Sequence, residues 1–193
     1  MDRYFDEMFA YINLIWDIPE GDKEVCRLFF KPIRVKKDTL LEVAGKIPNY
    51  HNFIVSGYMR NFHLDEKGNE VTVDLNDGPR FFTSYYHFMN RSISNENLQC
   101  VTDCEILRIS RDDVDRSAEM GETQKDYTIK VLQQKMEQEK ERIHDMANLN
   151  AEQRYLKLLR NQPNIIRNFP LKYIASYLGI KPESLSRIRK EIT

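Results

Sequence analysis

Between Thr123 and Met146 the chain runs for 24 residues, TQKDYTIKVLQQKMEQEKERIHDM, with neither Gly nor Pro. The stretch is rich in Glu, Gln and Lys and holds no breaker, so it reads as one long helix. Its apolar residues Ile129, Leu132, Met136, Ile143 and Met146 keep a 3–4 spacing, with Glu139 standing where another apolar side chain is due. One narrow stripe on a charged helix suits a two-helix seam, so these five residues are expected at a homodimer interface. A helix packed on its own neighbouring domain is the alternative.

The long helix separates two textures. Upstream, Phe53 and Val55, then Tyr58, Phe62 and Leu64, flank Ser56-Gly57, while Val71, Val73 and Leu75 alternate strictly and Ile106, Leu107 and Ile109 close the region. Gly57, Asp65-Glu66-Lys67-Gly68-Asn69 and Asn76-Asp77-Gly78-Pro79 supply turn chemistry between the runs. Together they predict an antiparallel β domain over roughly 25–110. Ahead of it, Phe5, Met8, Phe9, Ile12 and Ile15 keep helical spacing.

Downstream, Asn150 and Gln153 are placed as a capping box, Tyr155, Leu156, Leu158 and Leu159 start a new helical face, and Pro163 is expected to end it. Residues 169–193, FPLKYIASYLGIKPESLSRIRKEIT, then give two short helical patterns around a glycine. Leu171, Ile174, Ala175 and Leu178 form the first apolar face; Gly179 supplies a positive φ; Ile180 is expected as a buried plug. Pro182 opens the second helix, whose apolar face is Leu185, Ile188 and Ile192. This is the grammar of a helix-turn-helix.

At about 100° per residue, Glu183, Ser186, Arg187 and Lys190 lie opposite that second apolar face and are the candidates to enter a DNA groove. Arg187 suits guanine O6 and N7, Glu183 suits cytosine N4, Ser186 suits either strand, and Lys190 suits phosphate. Lys172, Lys181 and Arg189 flank them, and Ser184 completes the candidate set. The overall charge of −1, from 29 Lys and Arg against 30 Asp and Glu, taken alone argues against such a partner. It is a cancellation. Residues 154–193 hold nine Lys or Arg and two Glu, a net of +7, which leaves −8 for residues 1–153.

Three segments carry a family resemblance. HNFIVSGYMRNFHLDEKGNEVTV, CEILRISRDDV, and AEQRYLKLL with PLKYIASYLGIKPESLSRIRKEI resemble the β-roll hairpin, the last strand with its exit, and the helix-turn-helix of CRP/FNR-type transcription regulators. The resemblance runs from about residue 40 to the end. It implies an α+β fold: an antiparallel β-roll of the cyclic-nucleotide-binding-like jelly-roll kind, with its N-terminal helix, over 1–110; an exit segment and central dimerisation helix over 111–147; and a helix-turn-helix domain over 148–193, lacking the terminal wing that relatives carry. It also implies a homodimer on double-stranded DNA and a contact with RNA polymerase.

In that family a Gly-Glu pair holds the ribose of a cyclic nucleotide and an Arg-Ser or Arg-Thr pair holds its phosphate. Here, within GPRFFTSYYHFMNRSISNENLQC, Phe82-Thr83 and Ser94-Asn95 stand in those places, so both charged ligands are missing. Losing the charge-assisted phosphate contact costs about 1.5–3 kcal/mol, and cyclic-nucleotide binding is not expected. Arg91-Ser92, three residues earlier, restores the pair only if the loop register differs. Pro182 stands where many relatives place a side-chain donor. The stretch RFFTSYYH reads either as roll packing or as a pocket rebuilt for an unknown small-molecule effector, with Arg80, Thr83, Ser84, Tyr85, Ser94 and Asn95 as candidate contacts. The expected function is a sequence-specific transcription regulator. Its alternative is a small-molecule sensor of the same fold that acts through protein contacts, with vestigial DNA binding.

No catalytic residue, metal or cofactor is expected. His51, His63, His87 and His144 are dispersed, no phosphate-binding loop occurs, and Cys26, Cys100 and Cys104 read as buried thiols with no metal-ligand spacing. An odd cysteine count, an acidic start in place of a secretory leader, and no apolar run near the ~20 residues of a membrane span predict a cytoplasmic protein.

Overall fold

The computed structural model describes residues 2–76 and 78–192. Helix α1 (Asp2–Asn13) buries Phe5, Met8, Phe9 and Ile12, while Ile15 lies beyond its end. The β domain begins later than the alternation suggests, because a second helix, α2 (Glu20–Phe29), occupies its expected start. Glu20 and Asp22 sit in the first turn of α2, where the helix dipole favours acids, and Val25, Cys26 and Phe29 repeat on its apolar face.

Eight strands follow: β1 (Lys31–Val35), β2 (Leu40–Glu42), β3 (Tyr50–Ser56), β4 (Met59–Leu64), β5 (Glu70–Asn76), β6 (Arg80–Phe81), β7 (Asn97–Cys100) and β8 (Cys104–Ser110), with helix α3 (Tyr85–Asn90) between β6 and β7. They make two four-stranded antiparallel sheets, ordered β1-β8-β3-β6 and β2-β7-β4-β5. Ile54, Met59, Leu98, Cys100, Cys104 and Ile106 meet in the core between the sheets. On its other face the first sheet packs Phe53, Val55, Leu107 and Ile109 against α1. Cover on both faces explains the unbroken apolar runs Phe53-Ile54-Val55 and Ile106-Leu107, where strict alternation fails.

Two of the three expected turns are observed. Gly57 joins β3 to β4 at φ 101°, and a Cβ there would lie 2.6 Å from both the Asp103 carbonyl oxygen and Cys104 Sγ. Asp65 accepts the N–H groups of Lys67 and Asn69 while Gly68 takes φ 80°. Asp77, in the third, lies outside the described residues.

After β8, α4 (Arg111–Met120) packs on α2, and α5 (Gln124–Asn148) takes up the uninterrupted run. The Asp22 carboxylate of α2 accepts the Glu122 and Thr123 N–H groups at 2.7 and 2.9 Å, capping the approach to α5. Helix α6 (Ala151–Asn161) starts with the expected capping box, Asn150 and Gln153 each holding the other's backbone N–H at 2.9 Å. Pro163 opens a further helix, α7 (Pro163–Asn168), where its missing N–H costs nothing. Helices α8 (Leu171–Tyr177) and α9 (Pro182–Ile192) complete the chain. Tyr155, Leu158, Ile165, Ile166, Phe169, Ile174, Ala175, Leu178, Leu185 and Ile188 form their core. Ile180 is only half-buried and Ile192 is exposed, so neither is the core residue its spacing suggests.

The helical module docks on the roll through α8. Ser176 Oγ accepts the Thr72 N–H at 2.8 Å and lies 3.2 Å from the Glu70 carbonyl, satisfying polar groups of edge strand β5. Beside it, the buried Arg60 guanidinium lies between the rings of Phe62 and Tyr173, 4.0 and 3.7 Å from their centroids, and pairs with Glu70 at 2.7 Å. Tyr58 meets Phe169 edge-to-face.

Candidate functional site

The turn between α8 and α9 is closed by two backbone bonds, Gly179 N–H to the Ser176 carbonyl and Ile180 N–H to that of Ala175, both at 3.0 Å. This is the Schellman pattern, with Gly179 in the left-handed position at φ 66°. It sets α9 at a fixed angle to α8 and roots it through Leu185 and Ile188. Lys181, Glu183, Arg187, Arg189 and Lys190 are exposed, and Ser184 and Ser186 are half-buried. No ion pair or side-chain hydrogen bond among the described residues engages Glu183, Ser186, Arg187 or Lys190. The helix therefore presents an uncommitted row of donors and acceptors above a rigid base, and Lys172 lies exposed to one side.

Helix α5 uses two faces. On one, Tyr127 packs into the cluster under α1, Lys135 pairs with Asp74 at 3.1 Å, and Arg142 donates to the Val73 carbonyl at 2.6 Å while covering the Tyr177 ring. Ile129, Leu132, Met136, Ile143 and Met146 lie on the other, 39–72% exposed. Glu139, which interrupts that stripe, is tied to Lys135 at 3.0 Å. The helix thus rests on its own domain and still leaves most of the apolar stripe exposed, while Met146 at its end reaches the Gly179 turn, its Cε 2.7 Å from where a Cβ on that glycine would lie.

The cassette between β6 and β7 is built around two carboxylates that sequence reasoning missed, Glu42 and Glu96. Glu42 accepts from the Thr83 hydroxyl and, at 3.1 Å, from the Ser84 N–H. Glu96 accepts from the Ser84 hydroxyl and, at 2.8 Å, from Asn61 Nδ2, while Ser84 and Ser94 hydroxyls touch at 3.1 Å. Burial lifts the Glu42 carboxyl to about 6, Thr83 and Ser84 pull it back, and the neighbouring Glu96 charge adds to the rise. Thr83, Ser84 and Ser94 are therefore brought together, whereas the other three candidates are not. Arg80 is committed to Asp74 at 2.8 Å and Asn76 at 3.1 Å, Tyr85 stacks near His51, and Asn95 is exposed. Arg91 does not restore an arginine to the cassette: it takes a left-handed φ of 48° and pairs outward with Asp112 at 2.8 Å.

Among the described residues no cluster of His, Cys, Asp or Glu could hold a metal ion, and no helix is long and apolar enough to cross a membrane. No family model and no curated protein matches the chain. Among solved structures, the two-sheet roll, long helix and helix-turn-helix define the fold of CRP/FNR-type regulators. FixK2 from Bradyrhizobium japonicum aligns at TM-score 0.71 and 14% identity over 84% of each chain. The c-di-GMP-responsive global regulator CLP of Xanthomonas campestris aligns at 0.69 and 16%, over 90% of this chain and 91% of that one. The Thermus thermophilus catabolite activator protein aligns at 0.58 and 14%, over 93% and 85%. At these identities the fold is what is shared.

Proposed function

We propose that this chain acts in the cytoplasm as a homodimeric, sequence-specific DNA-binding transcription regulator whose sensor responds to something other than a cyclic nucleotide. The observation that carries the reading is that Glu183, Arg187 and Lys190 stand exposed on α9, with half-buried Ser186 between them, engaged by no ion pair or side-chain hydrogen bond among the described residues, on a module of net charge +7. Two copies joined along the α5 stripe would present two α9 helices about one DNA turn, ~34 Å, apart, matching a near-palindromic site. Arg187 then reads guanine, Glu183 and Ser186 read neighbouring base edges, and Lys181, Ser184, Arg189 and Lys190 fix the backbone.

Fragments selected from random duplex DNA should be retarded in gel shifts with an affinity that falls as salt rises. Arg187→Ala should weaken the selected site by about 1–3 kcal/mol and relax preference at one base pair. Equal retardation of all sequences by both proteins would overturn specific recognition. For the sensor, a phosphate in the cassette would face Glu42 and Glu96 where the charge calls for a cation. Cyclic AMP and cyclic GMP should therefore leave the melting temperature unmoved; a stabilisation of several degrees by either would refute this part.

A further inference from the structure

Between α5 and α6 stand only Leu149 and Asn150, both extended, at ψ 140° and 172°. Two carbonyls near this bend are orphaned by the residues around them. That of Leu149 would ordinarily accept the N–H of Gln153, four positions on, but the Asn150 side chain takes that N–H at 2.9 Å. That of Leu178, at the end of α8, would accept from position 182, which is a proline and has no N–H to give. No backbone N–H among the described residues bonds either carbonyl.

Arg154, in the first turn of α6, takes both. Its Nη1 donates to the Leu149 carbonyl at 2.5 Å and its Nε to the Leu178 carbonyl at 3.1 Å. A guanidinium is a rigid plane, so the two carbonyls are held in one mutual geometry, and each bond is charge-assisted. These carbonyls belong to the two bends that aim α9, the one between α5 and α6 and the one between α8 and α9. The seat on β5 holds the body of α8, whereas Arg154 holds its end. Contacts to either side close the same junction: Met146 of α5 lies against Gly179, and Lys157 of α6 pairs with Glu141 and Asp145 of α5, both at 2.6 Å. Two of the nine cations of the C-terminal module are therefore committed to this junction and stand apart from the α9 row.

We propose that Arg154 is a positioning residue: by bridging Leu149 and Leu178 it fixes the angle of α9 to the long helix α5, and so the separation of the two α9 helices in the dimer. The consequence for DNA rests on the DNA-binding reading above; the bridge and the angle it fixes do not. In a dimer joined along α5, an error in that angle displaces both reading helices at once, so it penalises a site made of two half-sites and spares a single one.

Spin labels on Glu137→Cys of α5 and Glu191→Cys of α9, both at exposed positions, report the angle in the full chain. They are placed in a Cys26→Ala background and diluted with unlabelled protein, so that only distances within one chain are read. One narrow distance distribution is expected. Arg154→Met should broaden it at least two-fold with an unchanged circular-dichroism spectrum, and Arg154→Lys should do the same, because a single ammonium does not reproduce the fork. Arg160→Met, which removes an exposed charge from the same helix, should leave the distribution as it is. In gel shifts, Arg154→Met should weaken a selected fragment with two half-sites more than ten-fold and a lone half-site less than two-fold, whereas Arg187→Ala weakens both. A parent-like distribution in folded Arg154→Met or Arg154→Lys, or equal losses on lone and paired half-sites, overturns the proposal. If the parent retards no fragment specifically, the DNA-binding reading fails and the distances alone decide the role of Arg154.

Discussion

His51 and Glu42 pull the pH dependence of folding in opposite directions. Burial raises Glu42 from 4.5 to about 6, so the folded chain takes up this proton first as pH falls, and the residue stabilises increasingly from pH 6 towards 4.5. Burial lowers His51 from 6.5 to about 4, so the unfolded chain protonates first, and the stability contributed above pH 6.5 is lost as pH drops towards 4. The histidine window is the wider. His51→Phe should therefore lose about 2–3 kcal/mol less than the parent between pH 7 and 4.5 in denaturant titrations, and equal losses would mean that His51 charges freely in the folded chain. Neither residue's role was visible in the sequence. Glu42 is a lone acid on a three-residue strand, about 40 positions from Thr83 and Ser84, and only the β2-β7 pairing delivers it to the cassette. Ser94 follows from its distance to the Cys104-Glu105-Ile106 run, Thr83 from its place in the cassette and Ser84 from the polar positions of RFFTSYYH, whereas Glu42 and Glu96 carry no local signal at all.

At the level of elements, what was legible followed local chemistry. The uninterrupted run gave α5 to within two residues at each end, the Asn150 and Gln153 pair gave the start of α6, and Gly179 with Pro182 gave the turn into α9. What escaped depended on tertiary context. Helix α2 is short and charged, EGDKEVCRLF, and its apolar face is recognisable only once α4 and the roll lie against it. The two uses of α5 were read as alternatives because its inner face works through Lys135 and Arg142, long polar side chains that no hydrophobic pattern registers. The outer stripe is the part the pattern could see.

For the whole molecule, the proposed dimer rests on that stripe. In a two-fold dimer the same patch meets itself, so a charge placed at its centre is met by its copy. Met136→Glu, at a position 72% exposed in the single chain, should leave the fold's melting behaviour intact and weaken self-association more than ten-fold by sedimentation. A dimer of unchanged strength would place the seam elsewhere. The charge map adds orientation to the proposed DNA binding: −8 on residues 1–153 would repel the polyanion that +7 on residues 154–193 attracts, so an approaching duplex would be steered to the helix-turn-helix end.

The seat of α8 on β5 carries a further consequence. An edge strand with bare N–H and C=O groups is a template for another chain, and here Ser176 and its helix are what blunt it. Any swing of the C-terminal module away from the roll must unmask that rim, so a released state is sticky unless something else takes the place of α8. Conformations that free α9 to move thus carry a self-assembly hazard, and the docked arrangement doubles as the protein's protection against it.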